Sequence, residues 1–177
     1  MQLICWNVQW CRGVDGRVDP RRIAREVKRL APAADVICLQ EVARGFDTLA
    51  GSAGEDQFAL LAAEFPGWAA VEGIAGDVAH PGGGRRQFGN LLLLRLPLRR
   101  AWRHLLPWPA DADHADMQRV AIEAVIEAPG IGELGITTTH LGYYSAAQRL
   151  AQFDALRALH AAACGHHRVK PARADAS

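Results

Sequence analysis

The first 42 residues constrain this chain more than any later stretch, because their hydrophobic period changes twice. LICWNVQW alternates, with Leu3, Cys5, Asn7 and Gln9 on one face and Ile4, Trp6, Val8 and Trp10 on the other, which is the period of a strand. Asp19 followed by Pro20 is a helix start, and Ile23, Val27 and Leu30 then recur at helical spacing until Pro32 ends the pattern. DVICLQEV follows at residues 35–42, an apolar run of Val36, Ile37, Cys38 and Leu39 that closes on Gln40 and Glu41. A crossover of this length favours two strands of one sheet with the helix packed on one face. Both apolar runs then end near the same edge, and the second ends in a charge.

Further elements follow from the same rules. DQFALLAAEF at 56–65 predicts a helix with Phe58, Leu61 and Phe65 on one stripe and Asp56 near its cap. The glycine-rich residues 73–89, GIAGDVAHPGGGRRQFG, favour a mobile surface loop over a packed element. NLLLLRLPL resumes as a strand, and Arg99 to Asp116, with its prolyl-tryptophan pairs, reads as a long connection. MQRVAIEAVIEAPGIGELGITTTHL gives two β-rich runs divided by Pro129 and Gly130, an antiparallel hairpin whose second strand ends in His140. A last helix begins near Ser145, with Leu150, Phe153, Leu156 and Leu159 on its apolar side.

The chain has 177 residues, enough for one domain with a sizeable core. Half of it is apolar, 22% is charged and the net charge is +1, which excludes a disordered chain or one drawn strongly to polyanions. A nucleic-acid partner would need local patches, for which Arg85 with Arg86, and Arg99, Arg100 and Arg103 near Trp102 and Trp108, are the candidates; a solvated face is the alternative reading. The four cysteines show no CxxC spacing and read as reduced structural thiols. The N-terminus lacks a basic leader, and no window approaches the roughly 18 apolar residues of a membrane span. A soluble cytoplasmic protein without a membrane partner is expected.

Polar groups recur at the carboxyl ends of strands: Asn7, Gln40 with Glu41, and Thr139 with His140. In α/β architectures such ends border the ligand cleft. Singly, Asn7 could be a turn residue, Glu41 the first solvated residue after a strand and His140 a structural histidine. Together they mark a site, and all three are expected on one face.

WNVQW near the start, LQEV about thirty residues later, GNLLLL after a basic loop and THLG before a helix occur in an order that resembles the endonuclease/exonuclease/phosphatase superfamily, with its deoxyribonuclease I-like fold. The likeness runs from Leu3 to about Leu159 and includes Arg149 and Gln152, which match an Arg-x-x-Gln spacing. The resemblance implies an α/β (α+β) fold, a four-layer sandwich of two packed mixed β-sheets flanked by helices. It also implies a metal-dependent phosphoesterase of nuclease type, hydrolysing phosphodiester bonds of DNA, RNA or a small phosphoester. By the same likeness Glu41 would ligate Mg²⁺ or Mn²⁺, with Asn7 beside the metal or the scissile phosphate, and hard cations suit such oxygen donors. His140 would face the phosphate as a catalytic donor. Asn90 matches the Gly-Asn that opens the family's next core strand, and Arg119 matches an arginine able to grip phosphate.

The departures are as informative. The family's later Asp-x-Asn and Ser-Asp-His motifs are not found; after Ala163 the sequence reads CGHHRVKPARADAS, with Asp175 as its only acid. Those motifs would position the nucleophilic water and supply the base. The expectation is therefore a domain over 1–163, incomplete at its C-terminus, followed by a disordered tail over 164–177, and a chain inactive by itself. The alternatives are an enzyme completed by a partner chain and a non-catalytic phosphate- or metal-binding remnant. Asp47 or Asp77 would be the acids available to replace the base.

Overall fold

The structure, a computed structural model, describes residues 1–168. Strand β1 (Leu3–Asn7), helix α1 (Pro20–Leu30) and strand β2 (Val36–Arg44) form the expected crossover. β1 and β2 run parallel, in register from Leu3 opposite Val36 to Asn7 opposite Gln40. Asp19 caps α1, its carboxylate accepting from the Arg22 amide at 2.9 Å, while Pro20 occupies a first-turn position that needs no amide donor. Asp56 does the same for α2 (Gln57–Ala63), accepting from Ala59 N at 3.0 Å. The apolar stripes of the two helices, with Ile23, Val27, Phe58 and Leu61, close one core over Ile37 and Leu39 of β2.

The glycine-rich segment is structured, against expectation. β3 (Ala69–Ala79) and β4 (Arg85–Leu94) pair antiparallel, leaving only residues 80–84 as a turn. β4 inserts between β2 and β3, giving the order β1-β2-β4-β3. Gly73 of β3 and Gly89 of β4 are contact points: a Cβ on Gly73 would lie 2.5 Å from Ile122 Cγ1, and one on Gly89 would lie 1.9 Å from the Gly73 carbonyl oxygen. Glycine here signals close approach of backbone, which composition alone does not distinguish from a flexible loop.

The expected long connection from Arg99 to Asp116 is also shorter than its sequence suggests, because β5 (Leu98–Leu105) occupies its first part. This edge strand carries its arginines outward, where Arg99 meets Glu127 at 3.2 Å and Arg100 meets Glu133 at 3.1 Å, so no apolar alternation betrays it. β6 (Val120–Ala128) and β7 (Gly132–Thr139) form the expected hairpin, with Gly130 in the left-handed region at φ 75°. The second sheet has the order β5-β6-β7, antiparallel throughout, whereas the first is mixed. Between the sheets lies a second core of Val36, Cys38, Leu92, Leu94, Ile122 and Ile126.

Helix α3 (Ala146–Arg168) starts at Ser145 as expected, with Ser145 Oγ accepting from Gln148 N at 3.2 Å. Its buried side is not the apolar one. Leu150 and Phe153 are exposed, while Gln148 and Gln152 are buried because their amides donate to the carbonyls of Pro109 and Pro107 at 2.9 and 3.2 Å. The helix continues through residues 164–168 of the segment expected to be a tail; the remainder of that segment, with Asp175, lies outside the described residues.

Gly89 pairs with Val42 on one side and Ile74 on the other, beside a register shift in each partner strand. Gly89→Ala should destabilise the protein by about 1–3 kcal/mol, the usual cost of overpacking, read as a lower urea midpoint. An unchanged midpoint would show that β3 is free to move away.

Candidate active site

The site is assembled where β1 and β7 end and where a bulge interrupts β2. The sequence places Glu41 at the end of its strand, but β2 runs on to Arg44 with Val42 and Ala43 still paired to β4, and the backbone is strained at the interruption. In the β2–β4 ladder the register shifts between Gln40 and Val42, and the extra residue, Glu41, sits at φ 59°. Such a bulge re-aims one side chain out of a strand whose neighbours remain buried. Gln40 and Val42 stay in the core, and the Glu41 carboxylate emerges. Across from it, Gln9, Trp10 and Cys11 follow β1 at φ 48°, 44° and 59°. Left-handed non-glycine residues cost about 1–3 kcal/mol each and persist where surrounding bonds over-determine them. Here Trp10 N donates to the Glu41 carbonyl at 2.7 Å, Trp10 Nε1 donates to Ala50 O at 3.0 Å, and buried Gln57 donates to Trp10 O at 2.9 Å while accepting from Ala43 N at 3.1 Å.

Asn7, Glu41 and His140 converge. Asn7 Nδ2 donates to Glu41 Oε1 at 2.9 Å, and His140 Nε2 lies 3.0 Å from the same oxygen. The Asn7 oxygen accepts from the Gln9 amide at 3.0 Å, so both ends of the Asn7 amide agree on its orientation. In this arrangement Asn7 orients the Glu41 carboxylate, and its own oxygen, the atom expected beside a metal, is already engaged. His140 is the largest influence holding Glu41 below the ordinary carboxylate value, followed by Asn7, with partial burial opposing both.

Asn90 and Arg119 join the same cleft, which Glu41, Gly89, Val120 and His140 also line. It is a shallow cleft open to solvent, with about 10 Å³ of space for water-sized groups. Asn90 does not open its strand; it lies inside β4, buried, and its Nδ2 donates to Val120 O at 3.0 Å, tying the two sheets together. Arg119 is 8% exposed; its Nη2 donates to Asp116 Oδ1 at 2.8 Å, and its Nε is buried with no partner. After His140 the backbone is clamped from α3: Gln152 Oε1 accepts from Gly142 N at 2.8 Å, and Arg149 Nη1 donates to Gly142 O at 3.1 Å and to Tyr143 O. The Arg-x-x-Gln spacing thus serves the loop that carries His140. Asp116 and Gln57 had no motif to announce them.

Among the described residues no three His, Cys, Asp or Glu side chains cluster as a metal site. Glu41 is the one carboxylate of the cleft, and because both its contacts fall on Oε1, Oε2 has no hydrogen-bond partner among the described residues. That donor set fits a hard divalent cation held through a single carboxylate, with water completing its shell. The other acids proposed for a base are engaged. Asp47 accepts from Arg86 at 2.6 Å and meets His80 at 3.2 Å, and Asp77 meets Arg85 at 2.7 Å; these partners hold both acids below the usual carboxylate range. The basic clusters are likewise occupied, with Arg103 donating to Glu72 O at 2.8 Å. No helix among the described residues is long and apolar enough to cross a membrane.

Two packed sheets with a carboxylate from a bulge in β2, an imidazole just after β7 and a guanidinium just before β6 define the class of α/β sandwich that carries its site at a sheet edge. The particular family follows from comparison: residues 4–168 match the Endonuclease/Exonuclease/phosphatase family, and the chain belongs to it. Similar solved structures include an endonuclease/exonuclease/phosphatase from Beutenbergia cavernae DSM 12333, at 25% identity and a TM-score of 0.68 over 87% of this chain and 42% of that one. A family protein from Leptotrichia buccalis C-1013-b follows at 14% identity and 0.56, over 84% and 57%. The human Nocturnin catalytic domain with bound sulfate anion matches at 23% identity and 0.57, over 92% and 58%. The chain thus spans about half the length of these structures. Among curated proteins nothing matches. The α/β class of two packed sheets is the one that the sequence resemblance implies, with the correction that only the first sheet is mixed, and the family is one of phosphodiesterase- and nuclease-type hydrolases.

A depressed carboxylate stabilises the fold above its unfolded pKa and loses that contribution as pH falls through its folded value. For Glu41, whose ordinary value is 4.5, the wild-type urea midpoint should fall more steeply below pH 4.5 than that of Glu41→Gln. Parallel curves down to pH 3 would show that the contact with His140 is not formed in solution.

Proposed function

We propose that this chain is a phosphodiester-recognising domain of a metal-dependent, nuclease-type phosphoesterase, and that its described residues hold the phosphate and one divalent ion without completing hydrolysis. The carrying observation is the single carboxylate oxygen of Glu41 shared by Asn7 and His140 in a cleft walled by Arg119. Glu41 Oε2 is the atom offered to Mg²⁺ or Mn²⁺, which when bound supplies positive charge to phosphoryl oxygens. Asn7 and His140 fix the carboxylate for that purpose. His140 Nδ1, with no hydrogen bond among the described residues, is left for a phosphate oxygen. The orphaned Nε of Arg119 is a buried donor, which a phosphate oxygen would satisfy, with Asn90 alongside.

What the cleft lacks, among the described residues, is a second acid to activate water: Asp47 and Asp77 are held by arginines and neither lines it. Removing one member of a cooperating catalytic set can disable the rest. The substrate class extends to DNA, RNA and small phosphodiesters.

The purified 177-residue chain should therefore show no Mg²⁺-dependent cleavage of plasmid DNA, RNA or bis(p-nitrophenyl) phosphate above background. Robust cleavage abolished by Glu41→Ala and by His140→Ala would overturn that. Calorimetry should detect weak Mg²⁺ binding that Glu41→Gln removes; equal binding by the variant would rule out Glu41 as the ligand.

A further inference from the structure

The cleft arginine is held by a carboxylate that no sequence motif marks. Asp116 lies in the connection between β5 and β6, three residues before Arg119, and its side chain is 2% exposed against 10% for the arginine. One oxygen, Oδ1, accepts from Arg119 Nη2 and from Met117 N, both at 2.8 Å. The other, Oδ2, is buried and makes no hydrogen bond. It packs over Gly142: a Cβ at that position would stand 2.7 Å from Oδ2 and 3.6 Å from the buried amides of Gln148 and Gln152. The glycine cannot give way, because Gln152 holds its N–H and Arg149 its carbonyl.

We infer that Asp116 and Gly142 are positioning residues for Arg119. They form a stack in which a backbone fixed from α3 supports a carboxylate, and the carboxylate fixes the guanidinium at the cleft wall. The inference rests on the reading of Arg119 as a phosphate contact and extends it. A long, rotamer-rich side chain is an effective anion ligand when its freedom is already lost before binding. Asp116 removes that freedom by occupying Nη2, and so leaves Nε, the unpartnered donor, free to act in a fixed direction. The stack also gives the glycine of the THLG sequence a role, since any side chain there meets Asp116 before it meets solvent. Because Gly142 follows His140 by two residues, one clamped loop sets both His140 and, through Asp116, Arg119.

The test follows the Arg119 Nε–Hε resonance by NMR, assigned through Arg119→Lys, in the full chain, together with titration by inorganic phosphate. In the wild type the resonance should be protected from solvent exchange and should move on adding phosphate. In Asp116→Asn the fold should persist, the Nε–Hε proton should exchange rapidly and phosphate affinity should fall about tenfold, within the range for uncoupling residues in contact. Arg119→Lys should then cost less in the Asp116→Asn background than in the wild type. If Asp116 only braces its loop, Asp116→Asn will lower the urea midpoint while leaving the protected resonance and the phosphate affinity of the folded protein unchanged, and the inference is overturned. Should Asp116→Asn not fold, Gly142→Ala, which displaces the same carboxylate, carries the same comparison. A wild type that binds no phosphate would refute the reading of the site as a phosphate cleft, and the exchange of the Arg119 proton would still decide whether Asp116 fixes it.

Discussion

Burying β2 on both faces leaves that strand no solvent side on which to place a charge. Ile37 and Leu39 face the helices, while Val36 and Cys38 face the second sheet, all within 3% exposure. An isolated carboxylate in such a strand would carry an unpaid desolvation cost of several kcal/mol. The chain resolves this with one extra residue. The bulge at Glu41 swings the carboxylate out of the ladder, and the left-handed backbone that this demands is stitched to β1 through Trp10 N. A charge therefore sits inside a buried strand here because a bulge lets it leave the core, and because Asn7 and His140 meet it when it does.

The electrostatics are correspondingly local. The arginines that look like a polyanion track each have an acid or a carbonyl partner: Asp77, Asp47, Glu127 and Glu133 take Arg85, Arg86, Arg99 and Arg100, and the Glu72 carbonyl takes Arg103. Exposed pairs of this kind contribute about 0–1 kcal/mol each to stability, yet they cancel the field that would draw a nucleic acid along the surface. With a net charge of +1, the cationic group left facing a ligand in the cleft is Arg119, whose Asp116 partner binds one edge of the guanidinium and leaves the Nε unpaired. Recognition in this chain is a matter of a few directed donors, not of long-range attraction.

Sequence legibility followed the physics of each element. Helices α1 and α2 were readable because cap, proline and apolar stripe all pointed the same way. β4 was readable only in its leucines, because Gly89 obscures the strand before them, and β5 was not readable at all, because its exposed arginines mask a two-residue period. Leu150 and Phe153 of the apolar side assigned to α3 are exposed because glutamine amides, not leucines, are what the carbonyls of Pro107 and Pro109 require.

By itself, the sequence determined the crossover of β1, α1 and β2 and the hairpin ending in His140, since each depends on period, caps or local order within a few dozen residues, while the order of motifs along the chain carried the family resemblance. It also determined that Asn7 and His140 end strands, whereas Glu41, expected at a strand end, lies at a bulge inside β2. Only the tertiary structure decided what they do there: that Asn7 turns its amine to Glu41 and spends its oxygen on Gln9, that His140 shares the same carboxylate oxygen, and that Asp116 holds Arg119. Those outcomes depend on atoms brought together from strands as many as 99 residues apart in the case of Glu41 and His140. The direction of a hydrogen bond is set by which donors and acceptors meet, and no spacing along one strand contains that information.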